Sequence, residues 1–295
     1  MKVLYVASEA LPFAASGGLA DVAGSLPKAM RKRLVGCRVV MPLYESVPQE
    51  LRDNMTFLTS LSVPVAWRRQ YCGVFEAKHN GVIYYLLDNQ YYFKRQGMYG
   101  HYDDAERFAF FSRAVLEMLP YLDFKPDVIH ANDWQSALVP LYYSIFYATR
   151  EGFEGIKTVL TIHNIQYQGK YGMELMEDVL GIPPEHRQLL EYDGCVNFMK
   201  AGIECADRVT TVSPTYANEI MTPTYSHRLH FILARHSRKV SGILNGIDQV
   251  YYNPAADKEI PFEFTSEDTT GKAKCKLAFQ KEYGLPEDAD APMMA

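Results

Sequence analysis

Three short stretches of this sequence gather residue types suited to polar, oxygen-rich ligands. The first is Ser16-Gly17-Gly18-Leu19-Ala20-Asp21. Two glycines at a helix start let the backbone approach a ligand closely, and the unpaired N–H groups there favour an anion such as phosphate. The same pair also serves a tight strand-to-helix turn, with Asp21 steadying the first helical turn. The second stretch is His130-Ala131-Asn132-Asp133-Trp134-Gln135. Asn or Asp there suits hydroxyl recognition or a helix N-cap. Trp134, one of two tryptophans, either lays its indole face on a sugar ring or fills the core. The third is Thr161-Ile162-His163-Asn164, where the histidine is either a structural residue or part of a polar ligand site. Ser213-Pro214 and Asn245-Gly246, taken singly, read as a helix start and a turn.

These stretches share one structural context, the carboxyl end of an apolar, β-branched run. Val3–Ala7, Arg38–Met41, Val128–Ala131, Thr158–Ile162, Arg208–Val212 and Gly242–Leu244 read as strands. Helices are expected at Leu19–Lys32, Ala137–Thr149, Asn197–Ala206 and Pro214–Met221. Alternation of this kind predicts an α/β, Rossmann-like, mostly parallel sheet with helices on both faces, whose ligands sit beyond the strands' carboxyl ends. An antiparallel excursion interrupts it: Phe57–Val65, Tyr71–Ala77 and Val82–Leu87, with an Asn80-Gly81 turn. The segment Asn89–Tyr102 reads as a loop, and Asp103 as the cap of a helix carrying Phe108, Phe111, Val115 and Leu119 on one face. Beyond it, 249–270 reads as a connection and Lys272–Tyr283 as a helix ending at Gly284. Pro292-Met293-Met294-Ala295 reads as the onset of another strand, implying a further α/β domain.

Composition narrows the function. A formal net charge of -5 with scattered basic residues argues against nucleic-acid binding. Five dispersed cysteines read as small buried hydrophobes in a reducing compartment. No apolar run approaches the roughly 18 residues that cross a bilayer, and the chain opens directly on a strand-like run without a leader. A cytoplasmic protein, or one from a plastid interior, is expected. Histidines are dispersed without metal-ligand spacing, and neither a Walker loop nor a nucleophile elbow is present.

In combination the motifs are more specific. Val6–Phe13, Ser16–Val22, Asp103–Phe108, His130–Gln135, Thr161–Gly169, Phe198–Ile203, Val212–Ile220 and Ile243–Asp248 stand in the order and spacing of the starch and bacterial glycogen synthase family, which this chain resembles from end to end. The resemblance implies a GT-B architecture of two facing Rossmann-like domains: residues 1–248 as the glucan-binding catalytic domain, and 249–295 as the connection and start of the donor-nucleotide domain. It implies transfer of glucose from ADP-glucose to the non-reducing end of an α-1,4-glucan, with retention of configuration and without a metal or other cofactor. Partners would be ADP-glucose and glycogen, starch or maltooligosaccharides. By motif position Ser16, Gly17, Gly18 and Asn245 would bind the donor. Asp21, Tyr99, Trp134 and Asn164 would bind the acceptor, and His163 with Asp133 would act at the reacting sugar. An oxocarbenium-like transition state needs oxygen dipoles at the sugar and positive charge at the departing phosphate.

Two departures qualify this. The family carries Lys-Thr before its glycine pair, whereas this chain has Ala15-Ser16, and a lost charged contact of that kind costs about 1.5–3 kcal/mol. The family also has a Gly-x-Gly-Leu turn where this chain has Ser226-His227-Arg228-Leu229. A degenerate glucan-binding module without catalysis is the second reading. A sucrose-type GT-B transferase is disfavoured by the Ser-Gly-Gly-Leu-Ala-Asp and Asp-Trp-Gln motifs. In the family the basic residues that hold the departing diphosphate lie in the second domain. The expected outcome for this chain alone is therefore negligible transfer from ADP-glucose to glycogen, and measurable transfer by the purified chain overturns that expectation.

Overall fold

The apolar runs become the middle of one large sheet. In the computed structural model, which describes residues 1–294, the strands are β1 (Lys2–Val6), β2 (Gly36–Pro42), β3 (Thr56–Val65), β4 (Arg68–His79), β5 (Val82–Asp88), β6 (Val128–Asn132), β7 (Lys157–Ile162), β8 (Lys170–Tyr171), β9 (Glu191–Tyr192), β10 (Cys195–Asn197), β11 (Arg208–Thr211) and β12 (Val240–Gly242). Nine of them form a sheet in the order β12-β11-β7-β6-β1-β2-β5-β4-β3. From β12 to β5 every neighbouring pair is parallel, and β5-β4 and β4-β3 are antiparallel. β1 is central and buried on both faces after Lys2, as continuous apolar runs require when helices cover both sides.

The antiparallel excursion is therefore part of the main sheet, because β5 lies parallel against β2 before turning back through β4. Asn80 and Gly81 both take positive φ (48° and 77°) between paired His79 and Val82, the two-residue turn their sequence predicts. A second sheet, β8-β10-β9, is antiparallel throughout. Its two- and three-residue strands are too short to show alternation in sequence.

Several elements differ from the sequence reading for identifiable reasons. The helix expected over Ala137–Thr149 is instead Asp133–Ser136, Leu138–Tyr142 and a π-helical turn Tyr143–Tyr147. Pro140 has no N–H to return to Ser136, so the ladder is interrupted at Ala137 and a second helix starts at Leu138. The last strand lies at Val240–Gly242 instead of Gly242–Leu244. A Cβ on Gly242 would fall 2.1 Å from the Ser213 carbonyl oxygen, so the Ser213 turn crosses the strand there. Asn89–Tyr102 contains the helix Gln90–Phe93, capped by Asn89 Oδ1 accepting from Tyr92 N at 3.1 Å. Asp103 precedes the helix Asp104–Glu117 without capping it, because its carboxylate accepts both Arg95 Nη1 and Nη2 at 2.6 and 2.8 Å. Ser213 does cap its helix, accepting Tyr216 N at 2.9 Å.

The chain divides into two units, Met1–Asn245 and Gly246–Ala295. The smaller holds the helix Thr270–Glu282, begun by Asp268 Oδ1 accepting Thr270 N and Oγ1, and followed by Gly284 at φ 65°. Pro292–Met294 form no strand, and Ala295, the last residue of that expected onset, lies outside the described residues.

At Gly169 two constraints meet. Its φ is 64°, and an added Cβ would stand 2.6 Å from Trp134 Cε3 and 3.1 Å from Phe198 Cβ. Its carbonyl also accepts Phe198 N at 3.0 Å, joining the small sheet to the wall of Trp134. Gly169→Ala combines backbone strain with overlap, and thermal or urea unfolding is expected to show a loss of about 2 kcal/mol or more.

Candidate functional site

Six loops, following β1, β5, β6, β7, β11 and β12, converge on a cavity of about 800 Å³, large enough for a drug-sized or disaccharide-sized ligand. Parallel strands place these loops at one edge of the sheet, and a helix starts after several of them, so backbone N–H groups and polar side chains collect there.

The floor is organised by the buried amide of Asn132, at the end of β6. Its Oδ1 accepts Tyr5 Oη from β1 at 2.9 Å and lies 3.0 Å from His163 Nε2 at the end of β7. Its Nδ2 donates to the carbonyls of Val6 and His130 at 3.0 and 3.1 Å. Since Nδ2 is the donor end, His163 carries its proton on Nε2. Burial holds the His163 imidazole down to about 4, so it is neutral at pH 7 and offers a dipole instead of a charge. His130 is likewise held down, to about 3, by burial and then by His163. Its Nε2 sits 2.6 Å from Thr161 Oγ1, under the edge of Tyr5, which makes it a structural residue.

Asp133 follows Asn132 at φ 54°, a left-handed conformation uncommon for a residue with a Cβ. It is not a helix cap. Its Oδ1 reaches across to β7 and accepts His163 N at 2.8 Å and Asn164 N at 3.3 Å, fixing the turn that carries both residues. Burial raises its carboxyl to about 7 against the lowering effect of those two amides. Trp134 is only 8% exposed. It packs edge-on to Phe108 at 5.0 Å, so it forms a wall of the cavity. Tyr167, at 60% exposed, stands at the rim.

On the β1 side, Ser16, Gly17, Gly18 and Leu19 line the cavity at the start of the helix Gly18–Lys32. Gly17 is the helix's N-cap residue, extended at φ -166°, with no side chain to cap it. A Cβ at either glycine would meet nothing within 4 Å. The glycines therefore leave space for a ligand. Tyr99 closes this side, its hydroxyl 2.7 Å from Ser8 Oγ. Behind it Asp104 pairs with Arg107 at 2.5 Å, and Arg107 is fully buried, donating also to the carbonyls of Tyr92 and Met98.

Of the ten residues singled out from the sequence, Ser16, Gly17, Gly18, Tyr99, Asp133, Trp134, His163, Asn164 and Asn245 all line this one cavity, and Asp21 lies one turn into the helix, outside the lining. Sequence reasoning missed Glu9, Asp104 and Tyr167. Glu9 lay inside a quoted motif, but nothing local marks it as facing the glycine pair. The lining holds three carboxylates, Glu9, Asp104 and Asp133, and among the described residues no Lys or Arg lines it.

Comparison with known proteins places this geometry. The family profile described as "Starch synthase catalytic domain" matches residues 2–235. A glycogen synthase of Bacillus cereus is 46% identical over the whole of this chain, which covers 62% of that relative. One of Geobacillus stearothermophilus is 48% identical, with 61% of it covered. The chain thus spans about three-fifths of the length of these relatives. Among solved structures, the catalytic domain of starch synthase IV from Arabidopsis thaliana, bound to ADP and acarbose, superposes with a TM-score of 0.88 at 33% identity. That match takes in 99% of this chain and 60% of the other.

The titrating groups of the site pull stability in opposite directions. Asp133 is raised, so its contribution is full below its ordinary value near 4 and is lost as pH rises through 7. His163 and His130 are lowered, so theirs is full above about 6.5 and lost as pH falls toward 4. The wild-type melting temperature is expected to drop between pH 6 and 8 by more than that of Asp133→Asn. The His163 ring resonances are expected not to titrate between pH 5.5 and 8.

Proposed function

Since the chain belongs to the starch synthase catalytic-domain family, we propose that it carries the acceptor side, and part of the donor side, of a glucosyltransferase. The donor is ADP-glucose and the acceptor the non-reducing end of an α-1,4-glucan such as glycogen or starch. The observation that carries this reading is the convergence of nine expected residues, drawn from five separate loops, on one cavity of sugar-binding size.

In this reading the donor diphosphate lies against Gly17 and Gly18, where first-turn amides have no intrahelical acceptor. Asn245 meets the donor from the last strand. The terminal glucose of the acceptor lies along Tyr99, Trp134 and Asn164, with Asp21 towards the glucan. His163 offers its backbone carbonyl and neutral ring to the glucose undergoing transfer, where oxygen dipoles favour an oxocarbenium-like centre. Asp133 keeps the His163 and Asn164 amides in place for that role. No metal ion or organic cofactor enters, and a water-borne nucleotide sugar fits a cytoplasmic setting. No helix among the described residues is long and apolar enough to cross a membrane.

A second reading rests on one observation, the cavity's carboxylates with no lining cation beside Ala15. It takes the chain as a glucan-binding module in which donor binding has lapsed. Titration calorimetry with maltoheptaose, and separately with ADP-glucose, separates the two. Binding of both overturns the module, and maltoheptaose alone supports an intact acceptor half whose remaining donor contacts lie in the second domain. If neither binds the folded chain, both readings fail. Asn164→Ala is expected to weaken maltoheptaose about tenfold with only a small fall in melting temperature, because Asn164 Oδ1 also accepts Gln166 N at 3.0 Å.

A further inference from the structure

Glu9 is 4% exposed, three residues beyond β1, yet it lines the cavity. Its Oε2 accepts the Ser16 amide at 2.5 Å and the Ser16 hydroxyl at 2.8 Å, and the Gly17 amide also bonds to this carboxyl. One carboxylate thus collects donors from the two residues that precede the helix Gly18–Lys32.

The turn needs such a partner. Its N-cap residue, Gly17, has no side chain, so the usual Ser, Thr, Asn or Asp cap is missing. Neither Gly17 nor Gly18 has packing neighbours where a side chain would stand. Leu19 and Ala20 are buried and anchor the helix itself, but they lie after the glycines. Ala15 brings no ammonium to the turn, so anion affinity here depends on how the backbone amides are aimed.

We propose that Glu9 is a positioning residue: by holding Ser16 and Gly17 from behind, it fixes the glycine turn so that the Gly18 and Leu19 amides present to a diphosphate. This deepens the transferase reading and rests on its placement of the donor phosphates. Burial raises the Glu9 carboxyl above its ordinary range, against the lowering effect of the Ser16 and Gly17 donors. The groups around it are otherwise Asp21 on the helix, Asp133 at the end of β6, and the phenols of Tyr44 and Tyr99.

The test uses the whole chain with inorganic pyrophosphate and ADP as probes, followed through the amide resonances of Ser16, Gly17 and Gly18, with maltoheptaose affinity alongside. For Glu9→Ala the expected result is at least tenfold weaker pyrophosphate binding and at least tenfold faster Ser16 amide exchange, with maltoheptaose within twofold of wild type. Glu9→Gln, whose amide oxygen still accepts both Ser16 donors, is expected to restore most of both. It also serves as the test if the alanine variant does not fold. Unchanged exchange and affinity in Glu9→Ala overturn the proposal. So does a tenfold gain of affinity in Glu9→Gln, which makes the carboxylate an opponent of the anion. If pyrophosphate and ADP leave the Gly17 and Gly18 resonances of the wild-type chain unmoved, the phosphate placement itself fails. The exchange measurement, which needs no ligand, still reports on Glu9.

Discussion

The side-chain amide of Asn132 is the joint on which the rest of the site depends. It is wholly buried and makes four contacts to three adjacent strands: Tyr5 and Val6 on β1, His130 on its own β6, and His163 just past β7. A buried amide with donors and acceptors all engaged holds one arrangement, because any slip leaves a polar group unpaired in a place without water. That arrangement sets which nitrogen of His163 carries the proton and the depth at which its ring sits. It also sets where the next residue, Asp133, leaves the strand. Asp133 then accepts strain at a positive φ so that its carboxylate can return to the His163 and Asn164 amides. The strand ends are thereby locked to one another through side chains as well as through the sheet ladder.

A chain of such contacts explains why the cavity's chemistry differs from what the isolated residue types imply. A histidine and an aspartate side by side look like an acid-base pair. Here burial drives the imidazole down and the carboxyl up, so both shift toward their neutral forms. The result is a cavity whose floor supplies dipoles. Its carboxylates are tied to backbone amides or, in Asp104, to the buried Arg107.

Features that depend on local pattern were legible from the sequence. β1 and β7 announce themselves by apolar runs, Asn80-Gly81 by its turn chemistry, and Ser213 by its place before Pro214. The cavity was legible because strand-end loops of a parallel sheet must gather at one edge. What escaped was set by distant partners. Asp103 looked like a cap until Arg95 claimed its carboxylate. Glu9 carries no local mark of its role, and only the fold brings Ser16 back over it. The helix break near Pro140 was a local signal outweighed by a strong apolar pattern. The Ser226–Leu229 turn, where the family resemblance implies glycines, still runs through positive φ at His227 and Arg228 (45° and 80°). There the surrounding fold imposes a backbone shape that the residue types alone do not favour.

Asn245 has a different kind of consequence. It stands exposed at the rim of the cavity and is followed directly by Gly246. A glycine successor leaves its own amide nitrogen unshielded, and that nitrogen can close on the preceding side chain, expelling ammonia through a cyclic imide. Reopening yields aspartate or its iso-linked isomer. In stored protein this spontaneous ageing would install a fourth carboxylate at a cavity already lined by three. Preparations of the same sequence would then differ by one charge at the mouth of the site, according to their age and the pH at which they were kept.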